Sequence, residues 1–287
     1  MSAGFEGGAL LEAQRHCLAL VREQAGDHWL ASLYARPEAR EGLIALAAFE
    51  REIAMARFRA RDPPLAAMRL EWWRGVIRGE RDAEAAGSPV ALALRAAMLR
   101  FALPLELVEA MLDGRLDDLM PPDPFDFVAF EAFAAACEGA RLRLAARIAA
   151  GAGRDLDAQD AHRPAGLALA LTRMLGDLPT RAGPSLVPAD AAARHGASMG
   201  DFDARRATPG VMAALAELRA LARRNLGEAE QRLKSSPPDI LPAFIPLATA
   251  KLELDRLERH AARPFAPAPA VSPLRRQWAI WRWARRF

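Results

Sequence analysis

Gly166-Leu-Ala-Leu-Ala-Leu-Thr172-Arg173-Met-Leu-Gly-Asp177-Leu-Pro-Thr180-Arg181 is the stretch on which the reading of this chain turns. Its apolar residues recur at three- and four-residue spacing, the period of a helix with one face in a core. Arg173, Asp177 and Arg181 stand four apart, and residues four apart on a helix share a face. A helix is expected over 160–177, with a break at Gly183-Pro184.

The same period runs through almost the whole chain, and no run alternates strictly as a half-buried strand does. The fold class expected is all-α. Ser88-Pro89 and Thr208-Pro209 each set a capping hydroxyl before a proline at the first helical position. Further breaks are read at Asp62-Pro63-Pro64, at the proline-rich run 120–124, at Gly151-Ala-Gly153 and at Ser235-Ser236-Pro237-Pro238. Helices follow near 9–24, 38–58, 64–79, 89–102, 105–113, 126–150, 160–177, 209–233, 242–262 and 273–286. Long helices with short polar breaks and no repeat argue for one bundle over 1–262. Residues 263–273 read as a Pro/Ala spacer, and 274–287 as a basic, aromatic C-terminal helix.

Of the 287 residues, 52% are hydrophobic and 26% charged, enough for a large core and ordinary for a globular protein. A net charge of +3 is too mild to indicate nucleic acid. Cys17 and Cys137 are isolated, which suits reduced thiols in the cytoplasm. The N-terminus lacks a secretory pattern, and no stretch has the roughly 18 apolar residues that crossing a bilayer needs. A cytoplasmic location is expected, with peripheral contact at the inner face of the membrane as its variant.

Several segments, in order from about Cys17 onward, resemble the squalene/phytoene synthase family. The stretch from Gly166 resembles that family's second catalytic helix, G-x-A-x-Q-L-T-N-I-L-R-D-x-x-x-D. Asp177 matches the first aspartate, Arg181 stands at the second, and Ala170 and Arg173 replace the glutamine and asparagine. The run 43–53 resembles the segment before the first aspartate motif, D-D-x-x-D, but continues with Ala54, Met55 and Phe58, none of which binds a hard cation. Arg69-Leu-Glu-Trp-Trp-Arg74 and Leu112-Asp-Gly-Arg-Leu-Asp-Asp-Leu119 are similar to two further family segments. Residues 190–206 look like the branch of the family that acts in assembly of respiratory complex I.

The resemblance implies an isoprenoid-synthase-like bundle around an apolar cavity. In the family's enzymes, facing carboxylates hold Mg²⁺ against a prenyl diphosphate, and the metal neutralises the leaving group. Losing one preorganised electrostatic partner costs on the order of 3 kcal/mol of barrier. Loss of most of the site therefore implies a pseudoenzyme with no metal or cofactor, acting through a respiratory-complex subunit or assembly intermediate and holding an isoprenoid or lipid. The alternative is a divergent head-to-head prenyltransferase on farnesyl or geranylgeranyl diphosphate, with Mg²⁺ and with Asp177 as its catalytic residue. A third reading is a carrier of an isoprenoid or quinone.

Five candidate ligand-binding residues emerge. Arg40, Arg57 and Arg173 suit phosphate, since guanidinium forks match its oxygens without a metal; Glu52 and Asp177 complete the set, with internal ion pairing as the competing reading. Glu50 and Glu52 are read as solvated or salt-bridged and as pointing away from the site. Asp113 and Asp117 stand four apart, but Gly114 suggests a helix end between them, and the family match at Asp113 and Asp118 suggests a cap. Trp72 and Trp73 point about 100° apart on a helix, so at least one belongs to the core. The segment 274–287 interleaves Trp and Arg, which suits either an anionic membrane surface or a last bundle helix with buried tryptophans and solvated arginines.

Overall fold

The computed structural model describes residues 2–59, 63–151, 160–181 and 185–286, and among these the side chains outside 2–7 and 58–59. Gly153, Asp62, Gly183-Pro184 and the side chain of Phe58, all named above, lie outside the described residues. Every regular element among the described residues is helical. The first half holds α1 (Ser2–Gln24), α2 (Gly26–Ser32), α3 (Pro37–Ala54), α4 (Ala56–Arg59), α5 (Pro63–Arg78), α6 (Asp82–Ala86), α7 (Pro89–Phe101) and α8 (Leu105–Leu119). Then come α9 (Phe127–Ala134), a π-helical turn (Ala135–Gly139), α10 (Ala140–Ala150), α11 (His162–Asp177), α12 (Ala189–Arg194) and α13 (Met199–Asp203). The chain ends with α14 (Pro209–Leu233), a 3₁₀ turn (Pro238–Phe244), α15 (Pro246–Arg259) and α16 (Pro273–Ala284).

The predicted caps form: Ser88 accepts from the Ala91 amide and Thr208 from the Val211 amide, each with proline at the first helical position. One apolar cluster joins α1, α3, α5, α7, α8 and α10, and a second gathers α9, α11, α12 and α14. Helices α3, α8, α10, α11 and α15 thus meet with charged faces turned inward. Trp73 is buried edge-on against Phe49, with ring centroids 5.0 Å apart, whereas Trp72 donates its indole N–H to Glu84 at 2.7 Å. Both cysteines are free and buried, and burial pushes each thiol up to about 12.

Besides the first helix, which begins at Ser2 and not near 9, the main differences from the sequence reading are four. The helix expected over 105–113 runs on to Leu119, so Gly114 is interior rather than terminal. A Cβ there would meet Cys137 Sγ at 2.5 Å, so this glycine serves a close helix crossing. The single helix expected over 126–150 contains the π turn, and the one over 38–58 breaks at Met55. Helix α15 begins at Pro246 instead of 242, after a 3₁₀ turn that contains Pro242. The short helices α2, α6, α12 and α13 were too brief to read by periodicity.

The Pro/Ala stretch lies against the body, with the Phe265 ring edge-on to Phe202 and Ala268 O accepting from Arg256. Helix α16 packs on α15 and α2 and buries Ile280 and Trp283. No helix of the described residues is long and apolar enough to cross a membrane.

Candidate functional site

A cavity of about 870 Å³ opens between α2, α3, α8, the π turn, α10, α11 and α15, with the first turn of α16 at its edge. Apolar wall comes from Phe133, Leu169, Met174 and Leu186. The expectation of an apolar cavity needs one correction, because the lining also holds nine arginines and six carboxylates. The reason is packing: the inward stripes of α3, α8, α10 and α11 all carry charge.

Two carboxylate centres organise that charge. Glu50 on α3 is only 6% exposed. Its Oε1 lies 3.2 Å from Arg173 Nη2 and 3.8 Å from Arg115 Nη2, and its Oε2 lies 3.5 Å from Arg141 Nε and 3.7 Å from His28 Nε2. Glu138, on the π turn and 1% exposed, takes Arg141 at 3.0 Å. Its Oε1 stands 2.8 Å from Arg173 Nη2 at an angle that makes a charge contact instead of a hydrogen bond. At the other end, Asp118 accepts from Arg57 at 3.2 Å and from Arg181 at 2.8 Å, and its backbone carbonyl accepts a second Arg181 donor at 3.1 Å.

Burial alone raises a carboxyl pKa, but the guanidinium charges around Glu50, Arg141 foremost, outweigh it and hold Glu50 well below the ordinary range. Asp118 is lowered likewise, against its burial, chiefly by Arg181 and Arg57. Asp177 goes the other way. Burial raises it and the nearby Arg173, Arg57 and Arg181 do not overcome that, since its carboxylate has no hydrogen-bond or ion-pair partner among the described residues. Burial also lowers His28, which leaves it neutral near pH 7 beside Glu50.

Of the sequence candidates, Arg57, Arg173 and Asp177 line the cavity. Arg173 keeps 41% of its side chain accessible, and that surface faces the cavity. Arg40 lies elsewhere, donating to the carbonyls of Ala35 and Leu33 beyond α2. Glu52 is also outside the lining, while Glu50, read as pointing away, turns into it as the centre of a salt-bridge network. Asp113 pairs with Arg74 at 2.7 Å on the exposed side, and Asp118 is a buried cavity residue, not a cap. Glu138, Arg141 and Arg115 were missed; arginines on an otherwise apolar helix period, at 141 and 115, were the available signal.

These donors do not fit a divalent cation. Glu50, Glu138 and Asp118 are already compensated by arginine, and no group of three metal-grade side chains converges among the described residues. Among the described residues, buried Arg115 Nε has no hydrogen-bond partner, an orphan donor that suits an anion.

Comparison with known proteins agrees with this architecture. The family model described as squalene/phytoene synthase matches residues 21–282. The chain is 24% identical to the mouse protein named NADH dehydrogenase (ubiquinone) complex I, assembly factor 6, over 93% of this chain and 80% of that one. The human protein of the same name gives the same identity and coverage. Among solved structures, a squalene synthase from Alicyclobacillus acidocaldarius superposes with a TM-score of 0.72 at 20% identity, covering 89% of this chain and 97% of that one. A dehydrosqualene synthase solved with a ligand gives 0.77 at 15% identity, covering 98% of each. With the family model spanning nearly the whole chain, and with the helical fold in common, this protein belongs to the squalene/phytoene synthase family.

Proposed function

We propose that this chain is a non-catalytic member of its family that serves in assembly of a respiratory NADH dehydrogenase, and that its cavity holds the anionic head of an isoprenoid or lipid. The assembly role is carried over from the relatives named above, which are identical to it at 24% of the aligned positions. The observation that carries the non-catalytic reading is the Arg57–Asp118–Arg181 bridge. Arginine occupies the position of the second aspartate of the second helix, and the buried Asp118 carboxylate is held in neutralising it. Ionising a prenyl diphosphate calls for bound metal at the leaving group, and the residues here compete with metal for every compensated carboxylate.

The competing reading, a divergent head-to-head prenyltransferase, is favoured by one observation, the unpartnered Asp177 carboxylate in the cavity wall. Incubation of the purified protein with farnesyl or geranylgeranyl diphosphate, Mg²⁺ or Mn²⁺, and NADPH separates the two. The expected result is a folded protein with no diphosphate release and no extractable hydrocarbon. Release that Asp177→Asn abolishes overturns the proposal. In the host, deletion is expected to lower the amount of fully assembled NADH dehydrogenase on native gels; an unchanged amount removes the assembly role.

A further inference from the structure

Helix α16 has two faces, and they are diametrically opposed. Arg276, Ile280 and Trp283 follow a four-then-three spacing, and so form one stripe. Ile280 and Trp283 are buried, and Arg276 clamps the helix to the body, with its Nε 3.0 Å from Asp27 Oδ1 on α2 and its Nη1 2.7 Å from Glu253 Oε1 on α15. Leu274, Trp278, Trp281 and Arg285 follow a four, three, four spacing and form the second stripe. At about 100° per residue the two stripes lie roughly 160° or more apart. The inner stripe accounts for everything the bundle needs from this helix.

The outer stripe is a large apolar surface left in water. Leu274 is 77% exposed, Trp278 58% and Trp281 39%. The two indoles stack, with centroids 4.8 Å apart, and the Arg285 guanidinium sits 4.8 Å from the Trp281 ring centroid. Stacking fixes the pair as one ridge. Arg275, Arg282 and Arg286 are exposed along one flank of that ridge, Arg286 with Glu230 Oε1 3.9 Å from its Nη1, and residues 274–286 contain no Asp or Glu.

We propose that this outer face docks on an anionic lipid surface, with Trp278, Trp281 and Leu274 entering the headgroup boundary and the flanking arginines pairing with lipid phosphates. Charge complementarity picks the occupant: all the charge that residues 274–286 bring to the ridge is positive, and tryptophan is the side chain that settles at the water–hydrocarbon boundary. The helix is about 18 Å long and already folded on the protein, so it lies on the surface and does not cross it. Pro273, Arg276 and Gln277 border the cavity from the side of the helix turned to the body, so docking of the outer face leaves the cavity edge about one helix diameter from the bilayer. The proposal stands whatever the cavity holds.

The test is co-sedimentation of the full chain with vesicles of phosphatidylcholine alone and of equimolar phosphatidylcholine and phosphatidylglycerol. Binding is expected only to the anionic vesicles and to fall as salt is raised. An arginine near an anionic surface contributes about fivefold to partitioning, so R275Q/R282Q/R286Q is expected to bind roughly a hundredfold more weakly. Trp278→Ala/Trp281→Ala is expected to abolish residual binding. All five positions are exposed, and an unchanged thermal midpoint verifies that each variant is folded. Wild-type protein that ignores anionic vesicles overturns the proposal, as does capture by an acidic protein that the vesicles cannot match. Equal binding by the arginine variant removes the electrostatic basis and overturns it too.

Discussion

Glu50 and Glu138 are carboxylates in the interior, where an uncompensated charge is among the costliest groups a protein can carry. They persist because Arg141 and Arg173 reach both of them. Removing one partner of a buried pair costs about 3–5 kcal/mol, and the accessible Arg173 screens part of that. Glu50→Gln is therefore expected to lower stability at pH 7 by about 3 kcal/mol in urea unfolding. The pH dependence follows from the direction of the shift. A carboxyl held below its unfolded value carries fewer protons folded than unfolded, so its contribution is complete above the ordinary range near pH ~4 and is lost as pH falls toward the depressed value. The gap between wild type and Glu50→Gln should thus narrow below that range. Asp177 has the opposite sign: its raised value makes ionisation a cost at neutral pH that is relieved on acidification. Asp177→Asn is expected to leave the urea midpoint unchanged or higher, and a loss as large as that of Glu50→Gln would contradict the unpartnered state of this carboxylate.

The π turn between α9 and α10 is the element that completes the site. A π turn inserts a residue into the helical register, and here Glu138 leaves the turn facing Arg141 and Arg173 across the cavity wall. Helix α11 approaches that turn closely enough that a Cβ on Gly166 would sit 2.9 Å from Gly139 N and 3.1 Å from its Cα. Backbone cannot yield as a side chain does. Gly166→Ala is expected to cost about 1–3 kcal/mol through overpacking, more than the roughly 1 kcal/mol that alanine gains over glycine in a helix. Gly227, inside α14 with nothing within 4 Å of a Cβ, supplies the control. Thermal unfolding should show Gly166→Ala falling and Gly227→Ala rising; a parallel rise would mean that the α11 contact is slack.

At the scale of the molecule, the cavity lining has an excess of three cations, nine arginines against six carboxylates, and the whole chain has a formal net charge of +3. The surplus of cations over carboxylates in the lining thus equals that of the entire chain. Inorganic diphosphate without metal is expected to raise the thermal midpoint, since a ligand at a hundred times its Kd adds about 2.7 kcal/mol. Arg173→Gln should weaken the effect and EDTA should not; a shift that appears only with Mg²⁺ would contradict an arginine-held anion. Much of this was legible in the chain before any coordinates. The all-α class, the capped starts at Ser88 and Thr208, and the presence of Ala54, Met55 and Arg181 where the family carries aspartate are local properties, set by periodicity and residue identity. The placement of charge was not local. Glu50 and Glu52 are two residues apart on one helix, and only the rotation of α3 against α10 and α11 turned Glu50 inward and left Glu52 out of the lining. Glu50 meets Arg173 across 123 residues, and Arg57 meets Asp118 across 61. Sequence by itself determined which side chains the helices carry and which metal ligands are missing; the tertiary packing decided which of those charges face one another, because a helix's rotational phase is set by the partners that bury its apolar stripe.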